Sequence, residues 1–184
     1  MKLIITKQEV LEKFGLPAGT EIELASDSET IVNQSATRTI IVDFPEKTMK
    51  EICEETGNKA GSGKLLYDTA WYENEDFFTK EKTRKGKRIV SLELKHLGKS
   101  WNEIVAMGME NEMLTPAEVT YLLAYVPEYR EVLKGWKYTW TSGRASDGSF
   151  VVVGLFDSDG AIVLSNRPDD SSSFIGVSFS KIVL

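Results

Sequence analysis

The side chains able to do chemistry are few, and most stand at spacings that no common site uses. Ala60-Gly-Ser-Gly-Lys64 sets glycines ahead of a lysine, an order in which backbone amides can face a phosphate. The phosphate-loop spacing fails, Leu65 stands where a hydroxyl residue is needed, and a helix rather than a strand is predicted ahead of it, so a plain loop is the better reading. Asp157-Ser-Asp-Gly160 and Asp169-Asp170 offer carboxylate oxygens of the kind calcium takes, but no glutamate closes either loop at bidentate distance. His96 is the single histidine, so one chain can build neither a Ser-His-Asp triad nor a site with several histidines on a metal. Cys53 is the single cysteine, which excludes an internal disulfide and a multi-thiolate zinc site; within an amphipathic helix it reads as a small apolar packing residue. Trp71, Trp101, Trp136 and Trp140 could stack on sugar rings, although tryptophan serves more often as a buried anchor under long loops. No catalytic residue, cofactor or metal follows from these residues.

The elements that must position them alternate between helix and strand. Lys2-Leu-Ile-Ile-Thr6 predicts a short strand, and Thr6-Lys-Gln-Glu9 has the reciprocal capping pattern that opens a helix over about 8–14, closed by Gly15 and Pro17. Residues 20–25 and 39–44 predict strands on either side of a Ser/Thr/Asn-rich loop at 27–38, and residues 46–56 predict a helix stopped by Gly57. Residues 58–88 read as long loops hung on buried aromatic anchors, and 88–94 alternates as a strand does. Ser100-Trp-Asn-Glu103 opens a helix to about Met109, and Thr115-Pro-Ala-Glu118 opens another through about Tyr125, with Pro116 where its missing amide costs nothing. Val119, Leu122, Leu123 and Val126 form the stripe such a helix buries. From Trp136 onward, short strands are expected at 136–141, 149–156, 161–164 and 174–183. Mixed elements followed by a β-rich end argue for an α+β fold.

With 184 residues, 41% hydrophobic, the chain is long enough for one sizeable core. Its net charge of -6 gives no basic footprint for nucleic acid or an anionic membrane. The apolar run Leu3-Ile-Ile-Thr6 is too short for a signal-peptide core and nothing further along is long enough to span a bilayer, so no membrane insertion is expected and localisation stays open.

The clearest signal is a break in composition. Residues 1–140 contain 19 Glu, 15 Lys, 2 Gln, 5 Met and 4 Trp, and residues 141–180 contain none of the five. At the upstream rate about 13 would be expected in that stretch. A β-rich segment with Ser, Asp and Gly in its loops explains part of this, since strands disfavour Lys and Glu. It explains less well the loss of Trp, which suits strands, and of Lys, which guards exposed ones. A second explanation lies in the genetic code. When the two adenines of an asparagine codon ending in C or T are replaced freely, the residues that cannot be reached are Glu, Lys, Gln, Met and Trp.

The residues Trp140-Thr-Ser-Gly-Arg144, Phe150-Val151, Val153-Gly154, Phe156, Gly160, Val163, Pro168 and Ile175-Gly-Val-Ser-Phe-Ser180 resemble the C-terminal variable region of diversity-generating retroelement target proteins. That family occurs in viruses and small-genome microbes, archaea included. The likeness is strong over about 136–180, weaker over 66–125, where Trp71, Ser100-Trp101 and Leu114-Thr-Pro-Ala-Glu118 carry it, and absent over 1–36. It implies that a reverse transcriptase copies a template repeat with adenine-directed errors into the 3′ end of the gene. The product then displays the altered residues on a C-type lectin fold. On that expectation residues 1–184 are one C-type lectin-like domain, with an N-terminal extension at 1–36, a scaffold at 37–140 and a variable region at 141–180.

Carried over by position, the ligand-binding residues would be Ala145, Ser146, Asp147, Gly148, Ser149, Val152, Leu155, Asp157, Asp159, Ile162, Leu164, Ser165, Arg167, Asp169, Asp170, Ser172, Ser173 and Phe174. Asn166 and Ser171 depart from the Trp and Arg associated with those positions. The implied partner is a protein or other cell-surface ligand on a host or competitor, met by several copies presented together on a virion or cell surface. The rival functions are a glycan-binding lectin, calcium-dependent or not, and an enzyme of the formylglycine-generating type, whose related fold depends on active-site cysteines. The Glu-Pro-Asn and Trp-Asn-Asp patterns of calcium-dependent lectins are missing.

Overall fold

Thr48, Ser100 and Thr115 each start a helix in the same way. The hydroxyl accepts the amide of the glutamate three residues on, and that carboxylate accepts the amide of the capping residue. The computed structural model describes residues 21–24, 30–33, 38–68 and 71–183. Its helices are α1 (Met49–Thr56), α2 (Asp76–Thr79), α3 (Trp101–Ala106), α4 (Pro116–Tyr125) and α5 (Pro127–Val132). The boxes at Ser100 and Thr115 are as expected; the one at Thr48 moves the start of α1 from residue 46 to Met49. Gly57 then ends α1 with φ 61°, a left-handed conformation that glycine adopts without strain. Helix α3 stops at Ala106 rather than near Met109, and α5 was not expected.

The strands are β1 (Glu21–Leu24), β2 (Thr30–Asn33), β3 (Arg38–Phe44), β4 (Lys59–Ala60), β5 (Gly63–Lys64), β6 (Gly86–Ser91), β7 (Tyr138–Arg144), β8 (Phe150–Asp157), β9 (Gly160–Asn166), β10 (Ile175–Val177) and β11 (Ser180–Ile182). They form an antiparallel sheet in the order β1-β2-β3-β6-β11 and a second sheet in the order β10-β7-β8-β9. In the second sheet β10 runs parallel to β7, and β4 pairs with β5 in a small hairpin. Helix and strand together make the fold α+β, as the order of elements implies.

Several expectations need correction. The loop at 27–38 contains β2, and the loops at 58–88 contain β4, β5, α2 and the start of β6. The single strand expected over 174–183 is two strands, parted at Ser178, whose amide turns to Thr139 Oγ1. Trp71 and Trp136 are not buried anchors: they are 44% and 70% exposed. The strand expected at 2–6 and the helix at 8–14 lie outside the described residues.

The larger core lies between β3 and β6 (Ile40, Val42, Val90), helices α1 and α4 (Ile52, Val119, Leu122, Leu123) and one face of β8 and β9 (Val151, Val153, Val163). The smaller core covers the opposite face of the second sheet with α3, joining Trp101 and Ile104 to Trp140, Phe150, Val152 and Val177. With β8 buried on both faces, its Val151-Val152-Val153 run is continuous rather than alternating. A fully buried carboxylate ties the layers together. Glu118 accepts from Nε and Nη2 of Arg84 at 2.8 and 2.7 Å, while Arg84 and Arg88 both donate to Ser180 Oγ in β11.

Candidate ligand-binding face

Strand register decides which expected residues meet. Tyr138, Gly154 and Ile162 lie side by side at one end of the second sheet, and Arg144, Phe150 and Asn166 at the other. Four residue steps along β8 and along β9 separate those rows, which sets them about 14 Å apart. Ser146, Asp147 and Gly148 form an exposed turn at the Arg144 end, and Arg167, Asp169 and Asp170, which follow Asn166, are exposed there too. Asp157 and Asp159 are exposed in the turn at the opposite end. The structure therefore separates these two groups.

Between the ends, Ile162 and Leu164 share the face of Tyr138, Trp140 and Val152, the side turned toward α3. Leu155 joins them through a bulge, where its φ of 50° puts it out of strand alternation. Leu164 is 41% and Phe174 55% exposed, while Leu155 and Ile162 are half-covered. Ser165 pairs with Val151 and so points to the other face. Ser172, half-buried, and Ser173, exposed, lie with Phe174 where the chain crosses from β9 at one edge of the sheet to β10 at the other. Three expected positions are off the open surface: Ala145 and Ser149 are each 8% exposed and Val152 is fully buried. Ala145 and Ser149 close the turn on each other through an amide-to-carbonyl bond of 2.9 Å, and Val152 pairs with Trp140 inside the smaller core.

The rest of the chain holds this segment largely by its main chain. The Trp71 indole donates to the Val163 carbonyl at 2.9 Å, occupying an acceptor that the edge strand β9 would leave open. Amides of Lys64, Tyr67, Asn102 and Tyr138 donate to the carbonyls of Ser158, Ala161, Pro168 and Phe174, and amides of Leu155 and Phe156 donate to Lys137 and Leu133. Such bonds do not depend on which side chain occupies the segment position. Ser146 and Asp169 also bond through their side chains, to Glu75 and Asn102, each beside a main-chain bond to the same scaffold residue at Ser146 or its neighbour Pro168.

Three of the segment's five carboxylates, Asp147, Asp157 and Asp170, brace its own turns. Asp147 accepts both the amide and the hydroxyl of Ser149, which hold its carboxyl below the ordinary range. Asp157 accepts the Asp159 amide, and Asp170 accepts the Arg167 amide. Among the described residues no three His, Cys, Asp or Glu side chains are grouped to hold a metal. Elsewhere, Cys53 packs against the larger core, where burial pushes its thiol pKa up to about 12 and away from nucleophilic use.

Two exposed side chains fell outside the expected ligand-binding residues. Trp136 is the most exposed large apolar side chain among the described residues, signalled only by its neighbours Lys134, Gly135 and Lys137. Arg144, read as scaffold, is exposed and lies 4.2 Å over the ring of Phe150, which stacks on Trp101 at 3.6 Å. No family model matches the chain, and neither a curated protein nor a solved structure matches it.

Proposed function

We propose that the chain is a ligand-binding protein, not an enzyme, and that residues 141–180 form a recognition surface rewritten by a retroelement on a C-type-lectin-like scaffold. One observation carries this reading. The forty positions that lack Glu, Lys, Gln, Met and Trp begin directly after the buried Trp140 and end at Ser180, where Arg84 and Arg88 grip the chain. Within that stretch the scaffold holds mostly main-chain atoms, and Ser146, whose hydroxyl bonds Glu75, is exposed along with Asp147, Leu164, Arg167, Ser173 and Phe174. Recognition residues on turns and on one sheet face can then change while the buried rows stay filled. The α+β layout is compatible with the lectin-like fold.

The DNA beside the gene provides the test. A reverse transcriptase gene is expected there, with a near-copy of the sequence encoding about 141–180 that carries adenines where the two copies differ. The absence of both would contradict diversification.

A further inference from the structure

We propose that Arg144 is a fixed contact of this face that takes the carboxylate of an acidic side chain on a protein ligand; the proposal rests on the binding face argued above. Arg144 closes β7 on the exposed end of the sheet, in the row Arg144, Phe150, Asn166, between the turns at 146–148 and 167–170. Its guanidinium lies over Phe150 at 4.2 Å and over Trp101 at 5.6 Å. A guanidinium held over an aromatic ring by its charge can keep its N–H groups for other partners. Among the described residues the guanidinium has no hydrogen bond or ion pair. It is therefore a charged, pre-oriented fork with unused donors, and less side-chain freedom remains to be lost on pairing.

The surroundings select the ligand class. Asp147, Asp169 and Asp170 stand in the flanking turns and the chain carries a net charge of -6, a setting that repels a phosphate dianion or a polyanion more than a single carboxylate. A carboxylate also matches the fork with two parallel hydrogen bonds. Moreover, Lys is missing from residues 141–180, so a permanent cation within this segment comes from Arg144 or Arg167.

The test uses the full chain and a random peptide library. Peptides enriched on the chain are first checked with Phe174→Ala and Arg167→Ala, since loss of binding places them on the proposed face. Those peptides should contain Asp or Glu, and replacing that residue by Asn or Gln should weaken binding about tenfold. Arg144→Gln should weaken the acidic peptide by the same factor and leave the amide analogue unchanged, whereas a purely packing role would weaken both alike. Arg144→Lys, which keeps charge but not the planar fork, should restore part of the affinity. If Arg144→Gln loses its thermal transition, the same comparison is made with Arg144→Lys, for which the acidic peptide should still lose more than its amide analogue.

Equal binding of acidic and amide peptides, or face-directed peptides without acids, would overturn the assignment of Arg144 while leaving the face intact. Displacement of the acidic peptide by inorganic phosphate far more readily than by acetate would also overturn it, in favour of a phosphate ligand. If no enriched peptide responds to Phe174→Ala or Arg167→Ala, the binding face itself is misplaced and the Arg144 proposal falls with it.

Discussion

Trp140, directly before the segment, and Phe174 within it are large aromatic residues with opposite environments. Trp140 is fully buried, with its indole N–H donating to the Lys99 carbonyl at 3.0 Å, so Trp140→Ala should cost about 3–5 kcal/mol in a denaturant melt. Replacements at Leu164, Arg167, Ser173 and Phe174, all exposed, should each shift stability by no more than about 0.5 kcal/mol. Equal losses for the two sets would erase the division between scaffold and surface. Carboxylates that cap helices add a pH dependence. The amide and hydroxyl of Thr48 hold the Glu51 carboxyl below its ordinary value of 4.5, and Lys99 with the Ser100 amide does the same for Glu103. A pKa lowered in the folded state stabilises above the unfolded value, and that stabilisation is lost as pH falls through the folded value. Melting temperature should therefore decline below about pH 4.5, against an opposite contribution from Glu81, whose carboxyl burial pushes up. Glu51→Gln keeps the capping hydrogen bond without the titration and should flatten that decline; an unchanged slope would remove Glu51 from the explanation.

At the scale of elements, the β7–β8 pair depends on one close approach. A Cβ added at Gly154 would lie 2.1 Å from the Lys137 carbonyl oxygen and 2.5 Å from the Tyr138 Cα, so Gly154→Ala should cost about 3 kcal/mol by forcing the strands apart. Breaking the pair at the start of α4 should cost as much: Glu118→Ala leaves Arg84 without its carboxylate, and a loss of about 3 kcal/mol is expected in urea unfolding. Losses under about 1 kcal/mol would show that neither contact holds the sheet in place. The capping boxes at Ser100 and Thr115, the stripe of α4 and the strands after Trp136 were legible because each is written within a few neighbouring residues. Helix α5 was not, since Pro127 looks like a stop although it sits at a first helical position that tolerates proline. The β4–β5 hairpin was hidden for another reason: its place is set by Ser158 and Ala161, almost a hundred residues away, through Lys64, Leu65 and Tyr67. Exposure of Trp71 and Trp136 is likewise a tertiary outcome, so composition favoured burial for both. The candidate face was legible as a segment from its missing residue types, but the burial of Ala145, Ser149 and Val152 and the distance between its two turns follow from register alone.

For the whole molecule, the claim is that a fixed frame of buried rows and main-chain hydrogen bonds carries an exchangeable surface. Since the segment's Asp147, Asp157 and Asp170 carboxylates are engaged in its own turns, the melting temperature should be unchanged in excess chelator. A drop that calcium reverses would favour a calcium-dependent glycan lectin instead. The most direct measurement is a displayed library in which Ser146, Asp147, Leu164, Arg167, Ser173 and Phe174 take the residues reachable from an asparagine codon. It is sorted first for protease resistance and then for binding to several unrelated proteins. The expected result is that most members resist proteolysis as the parent does, and that binders to different targets differ at these six positions. Loss of resistance in most members, or binders that keep their targets when the six positions are reverted, would contradict a variable face on a fixed scaffold.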